Sequence, residues 1–125
     1  LAVASPPASQ PPAESLRRLD APNVTVTSDP SVAASGAHVI NTDVWLSMGQ
    51  EDQADKEEAF GPFQVNAELL TFAAEDNIVL HCLPAYRGKE ITEEVLEQHA
   101  EVIFREAENR LHAQKAILVA LAKKD

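Results

Sequence analysis

The sequence is poor in several residue types at once, and each shortage excludes something. It has one cysteine, Cys82, so an internal disulfide is impossible and a reducing compartment is the natural address. It has four glycines and no glycine-rich loop, and so lacks the backbone cradle that holds phosphates at a helix start. Cationic residues are few: ten Lys and Arg against twenty Asp and Glu leave a formal charge of −10. Nucleic acid and anionic membrane surfaces, which need a basic patch, are therefore not expected as partners. No apolar run approaches a membrane span. The histidines and the cysteine show no HxxxH or CxxC spacing, so neither a metal nor another cofactor is expected.

What is present fits one soluble, cytoplasmic domain. A chain of 125 residues with 45% hydrophobic and 24% charged residues can close a single core. The first residue is Leu1, and Leu1-Ala2-Val3-Ala4 already reads as a strand, as though the chain begins inside a fold. A strand over residues 1–5 is expected to lead through Pro6-Pro7 to a helix over 8–19. Residues 23–27 form a second strand; Asp29-Pro30 then cap and start a short helix ending near Gly36. A third strand spans 38–42. The charge-rich stretch 47–61 has no core face and reads as a surface loop, in part helical. Asn66 caps a helix carrying Leu69, Leu70, Phe72 and Ala73; a fourth strand covers 78–80, and Thr92 caps a helix through Ala100. Val102-Ile103-Phe104 forms a short apolar run, and 106–124 a long last helix, acidic at its start and basic at its end. Strands alternating with helices, apolar on both faces, predict an α/β fold: a mainly parallel sheet covered by helices on both faces. Ligands bind such sheets at the carboxyl ends of the strands.

Two unusual segments lie at that edge. Ile78-Val79-Leu80 leaves through His81-Cys82-Leu83-Pro84, and the third strand leaves through Asp43-Val44-Trp45-Leu46-Ser47-Met48-Gly49. Taken alone, Cys82 reads as a small buried hydrophobe and Asp43 as a cap or turn residue. Pro84, however, removes an N–H and stops the ladder just there, and two such exits on one sheet edge suggest a site. A Cys-His protease dyad is a poor fit, because neighbours on a strand point to opposite faces. A third segment, Glu106-Ala107-Glu108-Asn109-Arg110, reads on its own as a solvated helix face with Glu106 and Arg110 paired at i,i+4.

Together, His81-Cys82-Leu83-Pro84, Asp43-x-Trp-x-Ser47-Met48-Gly49-Gln50-Glu51 and Glu108-Asn109-Arg110 resemble the second half of the ornithine carbamoyltransferase family, in order and setting, over nearly the whole chain. Aspartate-using relatives carry His-Pro-Leu-Pro instead and lack the Ser-Met-Gly loop; putrescine-using relatives share the cysteine motif but not the loop. The runs 85–90 and 109–114 resemble the bacterial branch.

The resemblance implies a Rossmann-like ornithine-binding domain, incomplete at its N-terminus, over 1–105, with a C-terminal helix, 106–125, packing toward a carbamoyl-phosphate domain. It implies carbamoyl transfer from carbamoyl phosphate to L-ornithine in arginine metabolism, by a homotrimer. Asp43, Ser47 and Met48 would bind ornithine, and Cys82 would face the reacting amine. His81 and Arg110 would donate to the carbamoyl oxygen, and the Leu83 carbonyl would accept from the carbamoyl NH₂. The family's Ser-x-Arg-Thr-Arg, His-Pro-x-Gln and Asp-Gly-Asn-Asn segments are not in this sequence; a fragment that is inactive alone is expected. The other reading is a non-catalytic module that binds amino acids or pairs with another chain.

Overall fold

A computed structural model describes residues 1–18, 22–46 and 54–123. Strand β1 (Ala2–Ala4) pairs in parallel with β2 (Thr25–Thr27), with Ala2 opposite Thr25 and Ala4 opposite Thr27. The helix expected over 8–19 is split into a 3-10 turn, Pro7–Ser9, and helix α1 (Ala13–Arg18). Pro11 and Pro12 cause the split: they lack N–H donors and push the preceding residues toward extended backbone.

Helix α2 (Pro30–Ala34) begins as its sequence predicts. The Asp29 carboxylate accepts from the Ser31 and Val32 N–H groups, and Pro30 occupies the first turn. The helix ends before Gly36, whose φ of 65° suits a residue without a Cβ. Strand β3 (Val39–Thr42) pairs in parallel with β4 (Ile78–His81), Val39 facing Ile78 and Thr42 facing His81. Between them lie α3 (Ala54–Phe60), within the segment expected to be partly helical, and α4 (Ala67–Leu70). Asn66 Oδ1 accepts the Leu69 N–H at 2.9 Å, as a cap should. Phe72 stays exposed beyond the helix end.

Helix α5 (Glu93–Gln98), capped by Thr92, is followed after His99 alone by α6 (Ala100–Ala122). This corrects the expected start of the last helix at 106. Ile103 is fully buried and helical, so the Val102-Ile103-Phe104 run is the helix's foothold in the core. The expected boundary between 105 and 106 falls inside this continuous helix.

The core gathers Val65, Val79, Ile91, Val95, Leu96 and Ile103, with Ile40, Leu69, Leu70, Leu83 and Ala85 packed around it. Burial of each such side chain contributes about 1.5–3 kcal/mol, so this cluster fixes β4 against α5 and α6. The architecture is α/β, and among the described residues both strand pairs are parallel. Among the described residues, however, the strands form two two-stranded sheets, β1–β2 and β3–β4, where one continuous sheet was expected.

Candidate functional site

The register of β3 and β4 sets Thr42 beside His81, so the next residues, Asp43 and Cys82, leave the sheet side by side. The Cys82 thiol donates to Asp43 Oδ1 at 3.2 Å, and the same oxygen accepts the Val44 N–H at 2.7 Å. Among the described residues Asp43 Oδ2 has no partner. Desolvation pushes the Cys82 thiol pKa upward; the hydrogen bond to Asp43 and the aspartate's charge add to the rise. Arg110 is near enough for its positive charge to oppose it. At neutral pH Cys82 is therefore a thiol, a donor rather than a thiolate.

His81, the last residue of β4, is completely buried, with a ring nitrogen within 4.8 Å of the Asp43 carboxylate and the Cys82 sulfur. Its Nδ1 accepts the Leu83 N–H at 2.9 Å, which leaves the ring proton on Nε2, 3.1 Å from Glu90 Oε1. Glu90 Oε1 also accepts the Tyr86 N–H at 2.6 Å. Both imidazole nitrogens are thus occupied, and a ligand could reach neither without breaking one of these bonds. This network holds the chain as it turns out of β4. Leu83 sits at φ 54°, where a side chain is strained, and its peptide bond to Pro84 is cis. The Leu83 N–H bond to His81 fixes that conformation, and with it the direction of the Leu83 carbonyl.

Glu90 was not singled out as a site residue by sequence reasoning. An acid nine positions beyond His81 carries no periodic signal; in the fold its carbonyl accepts the Val65 N–H beside the Val65–Ile91 bridge, and its side chain is fully buried. Gln64 steadies the same loop by donating through Nε2 to the carbonyls of Gly88 and Lys89 at 3.0 and 2.7 Å.

Arg110 lies on the exposed part of α6. The pairing of Glu106 with Arg110 does not form; the i,i+4 pairs on this helix are Glu101 with Arg105 and Glu108 with His112. Among the described residues Arg110 makes no ion pair, and its charge acts weakly on the Cys82 thiol. Ser47 and Met48 lie outside the described residues.

Beside Asp43 opens a cavity of about 610 Å³, reached by Val44, Trp45 and Lys56. Trp45 stacks on Phe60 at 6.3 Å, and Phe60 meets Phe63 edge-on at 6.1 Å, giving the cavity an aromatic side. Donor atoms of Asp43, His81 and Cys82 fall within 4.8 Å of one another. A cation there would have to displace the thiol proton and one of the histidine's two hydrogen bonds, so the set as it stands is arranged for hydrogen bonding.

Comparison with known proteins bears on this geometry. A family model described as aspartate/ornithine carbamoyltransferase, Asp/Orn binding domain, matches residues 1–121. The ornithine carbamoyltransferase of Akkermansia muciniphila is 61% identical over 123 residues, 98% of this chain and 40% of the relative. The anabolic enzyme of Pseudomonas aeruginosa is 52% identical over 122 residues, 97% of this chain and 40% of its own. The crystal structure of anabolic ornithine carbamoyltransferase from Campylobacter jejuni superposes with a TM-score of 0.91 at 36% identity, covering 100% of this chain and 44% of that one. The chain spans about 40% of the length of the curated relatives it matches. From the matched strand exits to the last helix, the chain belongs to the aspartate/ornithine carbamoyltransferase family, as its Asp/Orn-binding domain.

Proposed function

We propose that this chain supplies the ornithine half of an ornithine carbamoyltransferase site. The reaction transfers the carbamoyl group of carbamoyl phosphate to the side-chain amine of L-ornithine, giving citrulline and phosphate. The carrying observation is the Cys82–Asp43 hydrogen bond at the exits of adjacent strands.

The chemistry assigns a role to each group. The neutral amine attacks the carbamoyl carbon, the bond from that carbon to the phosphate oxygen breaks with its electron pair leaving on phosphate, and the proton lost by the amine passes to the departing phosphate. Asp43 offers Oδ2 to the α-amino group, while Ser47 and Met48 line the loop over the amino acid. Cys82, held as a thiol, orients the side-chain amine rather than starting as a base. Arg110 donates to the carbamoyl oxygen as charge develops there, and the Leu83 carbonyl accepts from the carbamoyl NH₂. His81 changes role from the one the resemblance implied: with both ring nitrogens occupied, it positions Leu83 and Cys82 instead of donating to the oxygen.

Carbamoyl phosphate needs several cationic and backbone donors, which a chain of charge −10 does not concentrate here. The rest of the relatives' length is the natural source. The whole enzyme would be a cytoplasmic homotrimer in arginine biosynthesis, with α6 reaching toward the carbamoyl-phosphate domain.

The test is complementation. Co-expression of 1–125 with the part of the Akkermansia muciniphila relative outside the matched segment should yield citrulline from ornithine and carbamoyl phosphate. The same preparation with Cys82→Ala, and 1–125 alone, should yield none. A stable complex that binds ornithine by calorimetry but forms no citrulline would leave the non-catalytic amino-acid-binding module as the better reading.

A further inference from the structure

The loop 86–90 is held from three directions. Arg87 donates to Glu97 Oε1 of α5 at 2.7 Å and lies 3.7 Å from Glu93 Oε1. Gln64, just after the 3-10 turn Gly61–Phe63 that continues α3, donates to the Gly88 and Lys89 carbonyls. The Lys89 ammonium lies 2.9 Å from Glu57 Oε1 of α3 and 5.6 Å from the centre of the Tyr86 ring, a cation–π position. Lys89 thus meets the α3 segment twice, at Glu57 through its side chain and at Gln64 through its carbonyl.

The same segment reaches both strand exits. Phe60 lies one helical turn beyond Glu57 on α3, and its ring stacks on Trp45, which follows Asp43 by two residues. On the other side Glu90 follows Lys89 directly and occupies His81 Nε2, and His81 immediately precedes Cys82. The contacts close a circuit. It runs from Asp43 along the chain to Trp45, across to Phe60 and Glu57 on α3, across to Lys89 and Glu90, across to His81 and Cys82, and back to Asp43 through the thiol hydrogen bond. Within this circuit the side-chain contact of Lys89 with Glu57 is the link that joins α3 to the exit of β4.

We infer that Lys89 is a positioning residue for the candidate site: by clamping α3 to loop 86–90 it holds Trp45 and the exit of β3 against the exit of β4, and so maintains the Asp43–Cys82 contact. It acts through α3 and touches no reacting group. The ion pair is partly exposed, with side-chain accessibilities of 46% for Lys89 and 36% for Glu57, and pairs of that kind are individually weak. Gln64 holds the same segment by independent hydrogen bonds. Loss of the pair therefore loosens the site by a few-fold and does not dismantle it. For the effect on turnover the inference rests on the carbamoyltransferase reading; for the state of the Cys82 thiol it does not.

Lys89→Glu sets two carboxylates against each other and opens the clamp. The charges that act on the Cys82 thiol are Asp43, which raises its pKa, and Arg110, which lowers it, and the substitution alters neither. If Asp43 slips away, the thiol loses an acceptor and a neighbouring negative charge, so the iodoacetamide rate profile of 1–125 should move to lower pH, with about threefold faster alkylation near pH ~8 and the same high-pH plateau. A negative charge acting directly on the thiol would instead slow alkylation, and general loosening would raise the plateau. Lys89→Glu combined with Glu57→Lys restores the pair with its signs exchanged and should return the parent profile, as should Lys89→Arg. In the complemented enzyme Lys89→Glu should raise KM for ornithine about threefold and leave KM for carbamoyl phosphate unchanged. A Lys89→Glu profile that matches the parent's, moves to higher pH or rises at its plateau, or a double variant that behaves as the single one, would overturn the inference. A shifted profile with no citrulline from the complemented parent would keep the clamp and remove the transferase reading; citrulline with an unmoved profile would do the reverse.

Discussion

Cys82 and Asp43, 39 residues apart in the chain, meet in one hydrogen bond of 3.2 Å across the ends of neighbouring strands. The aspartate is the acceptor and the thiol the donor. Burial and the aspartate both favour the protonated sulfur.

The first prediction concerns pH. Because the folded thiol's pKa lies above its ordinary value, the native state holds its proton to higher pH than the unfolded chain does. That contribution to stability is complete below pH ~8.5 and is lost as pH rises through the folded value. Alkylation of Cys82 by iodoacetamide should be slow at pH 8 and accelerate only at higher pH. Asp43→Ala removes the acceptor and the charge and should move the rate profile to lower pH; an unchanged profile would mean the contact is not formed in solution.

Glu90 offers a test of the positioning network. Glu90→Ala strips the acceptor from the fully buried His81 Nε2 and from the part-buried Tyr86 N–H, and should cost about 1–3 kcal/mol for the buried histidine donor. Urea unfolding measures it. Glu90→Gln keeps an acceptor oxygen and should recover part of the loss. In the complemented enzyme, Glu90→Ala should also lower kcat through the misdirected Leu83 carbonyl, whereas a purely structural role would leave kcat per folded molecule at the parent value.

Arg110 separates its two readings by rate. As a donor to the carbamoyl oxygen, its loss in Arg110→Ala should reduce turnover of the complemented enzyme by about 10²-fold or more. As a surface ion-pair residue, its loss would leave the rate near normal. Steady-state citrulline assays decide, with unfolding midpoints showing that the variant is folded.

Helix α6 carries the fourth prediction. Phe104, Leu111 and Leu118 recur at seven-residue intervals and are all exposed, as are Ile117, Val119 and Leu121. A stripe of this kind, uncovered on the chain alone, favours association. Sedimentation of 1–125 should show concentration-dependent self-association that Leu111→Glu with Leu118→Glu reduces. A monomer at all concentrations for the parent chain would contradict this.

Much of the structure follows from local signals. Asp29-Pro30 and Asn66 fix helix starts through their own side chains, Pro11-Pro12 forbid a continuous helix, and β-branched runs mark β2 and β3. The candidate site motifs stand out for a related reason: Asp43 and Cys82 lie just beyond the runs that form β3 and β4, and strand ends are where such sheets present chemistry. Those features need nothing beyond neighbours in sequence.

Long-range packing decided the rest. Val102-Ile103-Phe104 is apolar enough for a strand, and only Ile103's place in the core makes it the base of α6. Glu90 looks like one acid among twenty until the fold buries it against His81, whose Nε2 it occupies. The pairing of β3 with β4 depends on register between segments far apart in the chain. Sequence periodicity says which residues share a strand face, but not which strand lies beside it.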